Sequence, residues 1–177
     1  NKIMESNYQF IKKIFEDSGL TIANIVFGGG MSSRLFQKIR EELGLAYSVY
    51  SYTSSYKDSG VVEIYAGVNT NLRDLAVNAI IEQVDVLKKD GITEKEFLRA
   101  KAQVKSAFIM GQESTSSQML LYARYLLLLE QEFDINERIK RLDNVSMQDV
   151  REAIECSFDL STLATATVGT KRTPLKV

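Results

Sequence analysis

In residues 27–53 the hydrophobic pattern changes from the period of a helix to the period of a strand, and the prediction for the whole chain starts from this stretch. Three glycines follow the apolar run that ends at Phe27, and their missing side chains allow a sharp turn. Ser32 or Ser33 can cap the helix that follows, and Gly44 suits the position that ends it. Within that helix, apolar residues recur at helical spacing, and charged residues occupy the positions between them. The apolar residues are Leu35, Phe36, Ile39 and Leu43.

Residues 46–53 change to the two-residue period of a strand. Residues 56–60 have the composition of a turn, and residues 61–68 are almost continuously apolar. We therefore expect an antiparallel hairpin joined through residues 55–60. The alternation places Tyr47, Val49 and Ser51 on one face of the first strand, and Ala46, Ser48, Tyr50 and Tyr52 on the other.

Helical patterns account for most of the remaining chain. Asn69 is one cap candidate for a long helix over residues 72–89, which Gly91 closes, and Thr93 with Glu96 forms a capping box for the next helix. A first helix is expected to end at Gly19, and the segment after it fits both a helix and a strand, of which we favour the helix. Further predicted helices are residues 7–15, 20–27, 119–130, 135–142 and one opened by Ser146 with Asp149 as an imperfect capping box.

These elements place the chain in the α+β class, as a mainly antiparallel sheet with helices packed on one face. Residues 162–168 are predicted to return as a last strand, and the apolar helix 119–130 is predicted to be buried. We expect a single domain over residues 1–177, truncated at its N-terminus, because the chain begins abruptly in a charged, helix-like segment. A strand missing before residue 20, or contributed by a partner, would complete the sheet.

Composition narrows the function. The 177 residues carry a formal net charge of −1, which gives no electrostatic case for binding nucleic acid or an anionic membrane. No histidine is present, which excludes imidazole metal sites and histidine-dependent catalytic triads. The single cysteine, Cys156, is predicted to be a small buried side chain. No signal-peptide pattern is visible, and we expect a cytoplasmic protein.

Arg40 and Tyr47 are the candidate site residues. Arg40 lies near the end of the helix after the glycines, and Tyr47 begins the strand seven residues later. If helix and strand pack around the corner at Gly44, the guanidinium and the phenol converge and offer hydrogen bonds to a carbonyl or an oxyanion. The alternative is structural, because an arginine near a helix C-terminus favours the helix dipole and a strand tyrosine is often half-buried.

Other chemistry has less support. The glycines could cradle a phosphate, but no GxxxxGK[ST] motif accompanies them. Glu41 and Glu42 are expected to be solvated rather than an acid/base pair. The tyrosines of the hairpin are expected to pack across strands, since no basic patch suits nucleic acid; they are Tyr50, Tyr52, Tyr56 and Tyr65. A ligand-binding module built on the glycine turn stays open.

The segment GGGMSSRLFQKIREELGLAYSVYSYTSSYKDSGVVEIYAGV, residues 28–68, closely resembles the corresponding part of the pitrilysin and insulin-degrading enzyme family of zinc metallopeptidases, especially the processing peptidase branch. The resemblance implies a clamshell of two related α/β rolls around a peptide-sized chamber. Only one half of such enzymes carries the inverted zinc motif His-x-x-Glu-His. Because this chain has no histidine, it resembles the other half, which binds no metal itself.

The resemblance also implies roles for the candidate residues. Zinc in the partner half would polarise the scissile carbonyl and activate water, while Arg40 and Tyr47 anchor substrate carbonyls and help to stabilise the oxyanion. The serines, the glycines and Arg34 would shape the turn that presents the helix. The implied partners are the zinc-bearing half, a peptide substrate and, as one assembly, a second copy. The rival is a non-catalytic structural or assembly subunit of the same fold.

Overall fold

The computed structural model describes residues 18–56 and 59–169, and its first element is helix α1 (Ser18–Gly28). The helical alternative for residues 20–27 is therefore confirmed, whereas the predicted helix 7–15 lies outside the described residues. The prediction that Gly19 ends a helix is wrong, because Gly19 is a buried residue inside α1. Glycine disfavours a helix by only about 1 kcal/mol, which packing can offset.

A π-helix (Phe36–Glu42) follows the glycine turn. The Ser33 hydroxyl accepts a hydrogen bond from the Phe36 N–H at 3.4 Å, so the predicted serine cap is confirmed at Ser33. The Leu43 N–H donates to the Lys38 carbonyl five residues earlier, at 3.1 Å, which is the π-helical spacing that periodicity did not predict. Gly44 ends the segment with a φ of 59°, as its predicted position requires.

The predicted hairpin is confirmed, with strands β1 (Ala46–Ser55) and β2 (Gly60–Val68) paired antiparallel. Tyr50 lies opposite Tyr65 on the exposed face, where their ring centroids are 5.0 Å apart in a stacked arrangement. This confirms cross-strand packing for these two tyrosines. The opposite face carries the buried Val49 and Ser51.

Five α-helices follow β2 among the described residues, with a 3₁₀ turn (Leu160–Thr162) after the last, and caps explain where several of them begin. Thr93 and Glu96 form the predicted capping box, and Ser146 and Asp149 form a complete box rather than an imperfect one. Gly91 ends the long helix with a φ of 69°. The helices are α2 (Arg73–Asp90), α3 (Glu94–Gly111), α4 (Thr115–Leu129), α5 (Ile135–Asn144) and α6 (Met147–Ser157), with a short 3₁₀ turn (Thr70–Leu72) before α2.

The core centres on α1, which packs against α3, α6 and β1. Its largest buried residue, Phe27, meets Phe158 edge to face with ring centroids 5.1 Å apart. The buried faces of the hairpin, the π-helix and α2 close the same cluster. The α+β class is confirmed, and the helices cover one face of the hairpin while the tyrosine face is exposed.

Two predicted elements differ from the structure. Residues 163–168 form no strand, because no strand among the described residues lies beside them to pair with their backbone. The apolar helix predicted to be buried corresponds to α4, most of which is exposed. No helix in the described ranges is long and apolar enough to cross a membrane.

Cys156 is exposed, so its prediction as a buried side chain is wrong. Helix α6 buries Val150, Ala153 and Ile154 on one face. Residue 156 lies about 200° around the helix from residue 154, which turns its side chain to solvent.

Candidate functional site

The structure brings Arg40 and Tyr47 together at the corner between the π-helix and β1. The Arg40 guanidinium carbon lies 5.1 Å from the centroid of the Tyr47 ring and 4.8 Å from the centroid of the Phe36 ring. A guanidinium within about 6 Å of an aromatic centroid is attracted to the ring face. Both predicted site residues therefore belong to one cluster, with Phe36 as a member that sequence reasoning did not single out.

A β-bulge aims Tyr47 outward. Ala46 pairs with Val68 and Ser48 pairs with Gly67, so Tyr47 is the extra residue of β1. Strict alternation predicted Tyr47 on the same face as Val49 and Ser51, which is wrong: Tyr47 is 82% exposed, whereas those two side chains are buried. The bulge changes the face because an inserted residue breaks the two-residue period.

Besides its two ring contacts, Arg40 makes an ion pair. Its Nε lies 3.5 Å from the Glu41 carboxylate, and both side chains are partly exposed. Within the described ranges, Glu41 is the only carboxylate paired with Arg40. Because a guanidinium has five N–H donors, this contact leaves it able to bind a further acceptor. As expected, Glu41 and Glu42 are exposed on the solvent side of the π-helix.

Arg34 fixes the start of the same helix to α3. Its Nε and Nη2 each donate to the Glu96 carboxylate at 2.8 Å, and Nη2 also donates to the Gly91 carbonyl at 2.9 Å. The Arg34 guanidinium, together with hydrogen bonds from Thr93, lowers the pKa of Glu96 to about 2. The pair anchors the turn that precedes the π-helix, while Arg40 lies beyond it at the other end.

Gly28 lets α1 approach β1 closely beneath the corner. A Cβ at Gly28 would lie 2.2 Å from Ser51 Oγ and 2.5 Å from the Ser51 backbone nitrogen, so a larger residue does not fit. The Ser51 hydroxyl donates to Asn24 Oδ1 at 2.7 Å, and Asn24 Nδ2 donates to the Ser51 carbonyl at 3.3 Å. Sequence reasoning missed this link, although a serine on the buried face of a strand was a signal that it needs a polar partner.

The donor set of this chain does not fit zinc. The sequence contains no histidine, and the described residues contain no group of three or more cysteine, aspartate or glutamate side chains placed to hold a metal ion. The corner therefore offers hydrogen-bond donors and aromatic faces, and the chemistry that it can perform is binding of a carbonyl or a negatively charged oxygen.

Comparison with known sequences assigns the chain a family. The family described as "Peptidase M16 inactive domain" matches residues 9–104. A zinc protease of Bacillus subtilis (strain 168), YmxG, is 45% identical over 131 residues, which is 74% of this chain and 32% of that protein. A zinc protease of Streptomyces coelicolor is 35% identical over 73% of this chain and 28% of its own length. The chain thus spans about a third of the curated relatives that it matches.

Solved structures share the fold. A protease from Helicobacter pylori superposes with a TM-score of 0.71 at 25% identity, over 81% of this chain and 35% of that chain. The inactive peptidase domain of a zinc protease from Bordetella parapertussis gives a TM-score of 0.71 at 17% identity, over 82% and 80% of the two chains. A chain of Complex III2 from Candida albicans superposes with a TM-score of 0.68 at 22% identity, over 80% of this chain and 36% of that chain.

Proposed function

Since the chain belongs to the peptidase M16 inactive-domain family, we propose that it is the substrate-binding and oxyanion-stabilising half of a zinc metalloendopeptidase that acts on peptides or unfolded segments. The observation that carries this proposal is the convergence of Arg40 and Tyr47 at an exposed corner. Two donors on one corner suit a carbonyl oxygen that gains negative charge during hydrolysis.

Arg40 and Tyr47 have complementary tasks in this proposal. The guanidinium supplies a permanent positive charge and N–H donors, and the phenol supplies one O–H donor. Substrate carbonyls accept these hydrogen bonds in the ground state, and the same donors bind more strongly once the carbonyl oxygen becomes an oxyanion. Stacking of Arg40 on the Tyr47 and Phe36 rings orients the guanidinium before substrate arrives.

Catalysis needs a second half. The chain has no histidine and its described residues hold no cluster that fits zinc, so in this proposal the metal and the water that attacks the peptide belong to a zinc-bearing half, on the same polypeptide or on another. The similarity to proteins named zinc proteases supports this division. The chain alone is then catalytically incomplete. A cytoplasmic location and a homodimer stay predictions.

A chimera tests the assignment. In it, residues 1–177 replace the matching region of the Bacillus subtilis protease, and hydrolysis of a fluorogenic peptide is measured. We expect Arg40→Ala to lower kcat/KM about 100-fold and Tyr47→Phe about tenfold, because each removes a donor to the oxyanion. The matched controls are Lys38→Ala, a partly exposed cation of the same helix, and Tyr56→Phe, an exposed tyrosine at the far end of the hairpin.

Two outcomes of the chimera experiment would contradict the assignment or favour the alternative. If Arg40→Ala and Tyr47→Phe hydrolyse peptide as fast as the unsubstituted chimera, the proposed roles are wrong. If the chimera is folded and inactive while the Bacillus subtilis parent is active, the alternative gains support: a non-catalytic structural or assembly subunit. The fold shared with a chain of Complex III2 is the observation that favours this second candidate.

A further inference from the structure

Helix α4 exposes an unusually apolar face. Five large side chains of this helix are between 51% and 76% exposed; they are Met119, Leu120, Tyr122, Leu126 and Leu127. Their positions recur at intervals of three, four and seven residues, so they lie along one side of the helix. Its one charged residue, Arg124, is also exposed. We call these five side chains the α4 face.

The rest of the described chain covers this face only at one edge, where the Tyr122 ring meets Phe133 with centroids 5.3 Å apart. The main core includes no residue of α4. The helix is attached mainly at its end, where Leu129 is buried and Phe133 also meets the Tyr125 ring edge to face at 4.8 Å. A contiguous apolar patch of more than a few hundred Å² is rare on a monomer and marks an interaction surface.

We propose that the α4 face is the docking surface for the zinc-bearing half of the enzyme. The proposal rests on the proposed function, which requires that half. The relatives are about three times as long as their match to this chain, so they contain enough additional polypeptide to cover the face. The composition also fits, since the centre of a protein interface is depleted in charge and rich in aromatic and methionine side chains.

The α4 face and the Arg40 corner then have separate tasks. The corner binds substrate, whereas the α4 face holds the two halves together and so brings the corner to the zinc site. Leu126 and Leu127 are the best places to perturb docking, because leucine-to-aspartate changes put charge into an apolar contact while leaving the core untouched.

Hydrogen–deuterium exchange of residues 115–129 tests the proposal. The exchange is compared between the isolated chain and the chimera described above. We expect α4 to exchange at least about tenfold more slowly in the chimera, because the docked half suppresses local opening. Leu126→Asp combined with Leu127→Asp should restore the fast exchange, and Leu126→Gln with Leu127→Gln should restore part of it. The control is Leu75→Asp, a leucine of similar exposure on α2, which should leave the protection intact.

Each other occupant gives a different result. Protection of α4 in the isolated chain at low concentration would mean that other residues of the same chain cover the face, and would overturn the proposal. Protection that rises with concentration, with a dimer in sedimentation velocity, would assign the face to a second copy and also overturn it. Equal exchange rates of α4 in the isolated chain and in the folded chimera would also overturn the proposal. The readout is independent of hydrolysis: Arg40→Ala should lower kcat/KM about 100-fold while α4 stays protected, so the two proposals fail separately.

Discussion

Replacing Glu96 by glutamine removes the negative charge that Arg34 binds with two hydrogen bonds of 2.8 Å. The glutamine keeps the shape of the side chain and can still complete the capping box with Thr93. One of its two terminal groups is an NH₂ donor, however, so it faces an Arg34 donor instead of accepting from it. The change therefore isolates the charge-assisted pair that anchors the π-helix to α3.

The pKa of Glu96 sets how much stability the pair contributes and the pH range in which that contribution is lost. Its value falls from 4.5 to about 2 in the fold, chiefly through the Arg34 hydrogen bonds. At pH 7 this difference corresponds to on the order of 3 kcal/mol, and residual exposure of the two side chains reduces it to about 2 kcal/mol. Because the folded-state pKa is lowered, the contribution is fully present above pH 4.5 and is lost as the pH falls toward 2.

Urea unfolding followed by circular dichroism measures this contribution. We expect Glu96→Gln to lower the free energy of unfolding by about 2 kcal/mol at pH 7, and the gap to the wild type to narrow as the pH falls below about 4.5. The matched control is Glu94→Gln, an exposed glutamate in the same first turn of α3, which should cost less than about 0.5 kcal/mol. Equal stability of Glu96→Gln and the wild type at pH 7, or a gap independent of pH, would refute the reasoning.

Two glycines provide further predictions, each checked by urea unfolding. Gly28→Ala should lower the free energy of unfolding by at least about 1–3 kcal/mol, because its Cβ would overlap Ser51. The control is Gly30→Ala, which has open space and should change the free energy of unfolding by less than about 0.5 kcal/mol. Gly44→Ala should lower the free energy of unfolding by about 1–2 kcal/mol, because the φ of 59° at this position is unfavourable for alanine. The control is Gly111→Ala, at the end of a helix and in open space, which should leave stability unchanged or raise it. A similar loss in both members of either pair would contradict the assigned cause.

Local signals predicted much of the fold. Capping boxes at Thr93 and Ser146 depend on residues within one turn, and the hairpin depends on alternation and a turn at residues 56–60. Such signals need no knowledge of distant neighbours. The seven-residue spacing of Arg40 and Tyr47 around Gly44 likewise predicted a shared corner, and the structure brings the two side chains to that corner.

Exposure was harder to predict, because it depends on what lies opposite. The apolar composition of α4 indicated a buried helix, yet most of its apolar face stays exposed in the described part of the chain. Residues 163–168 have strand-like composition, but a strand needs a neighbour for its backbone hydrogen bonds. In both cases composition predicted the need for a partner, and only the packing shows that the described chain does not supply one.

Periodicity and capping predicted the hairpin and the capping boxes at Thr93 and Ser146, because these signals are local, and the resemblance of residues 28–68 predicted the family. Tertiary structure decided the direction of Tyr47, which the β-bulge turns to solvent, and the anchoring of Arg34 to Glu96, 62 positions along the chain. It also decided that the glycine at residue 28 serves close packing against Ser51. These features arise from contacts between residues far apart in the chain, which no local pattern encodes.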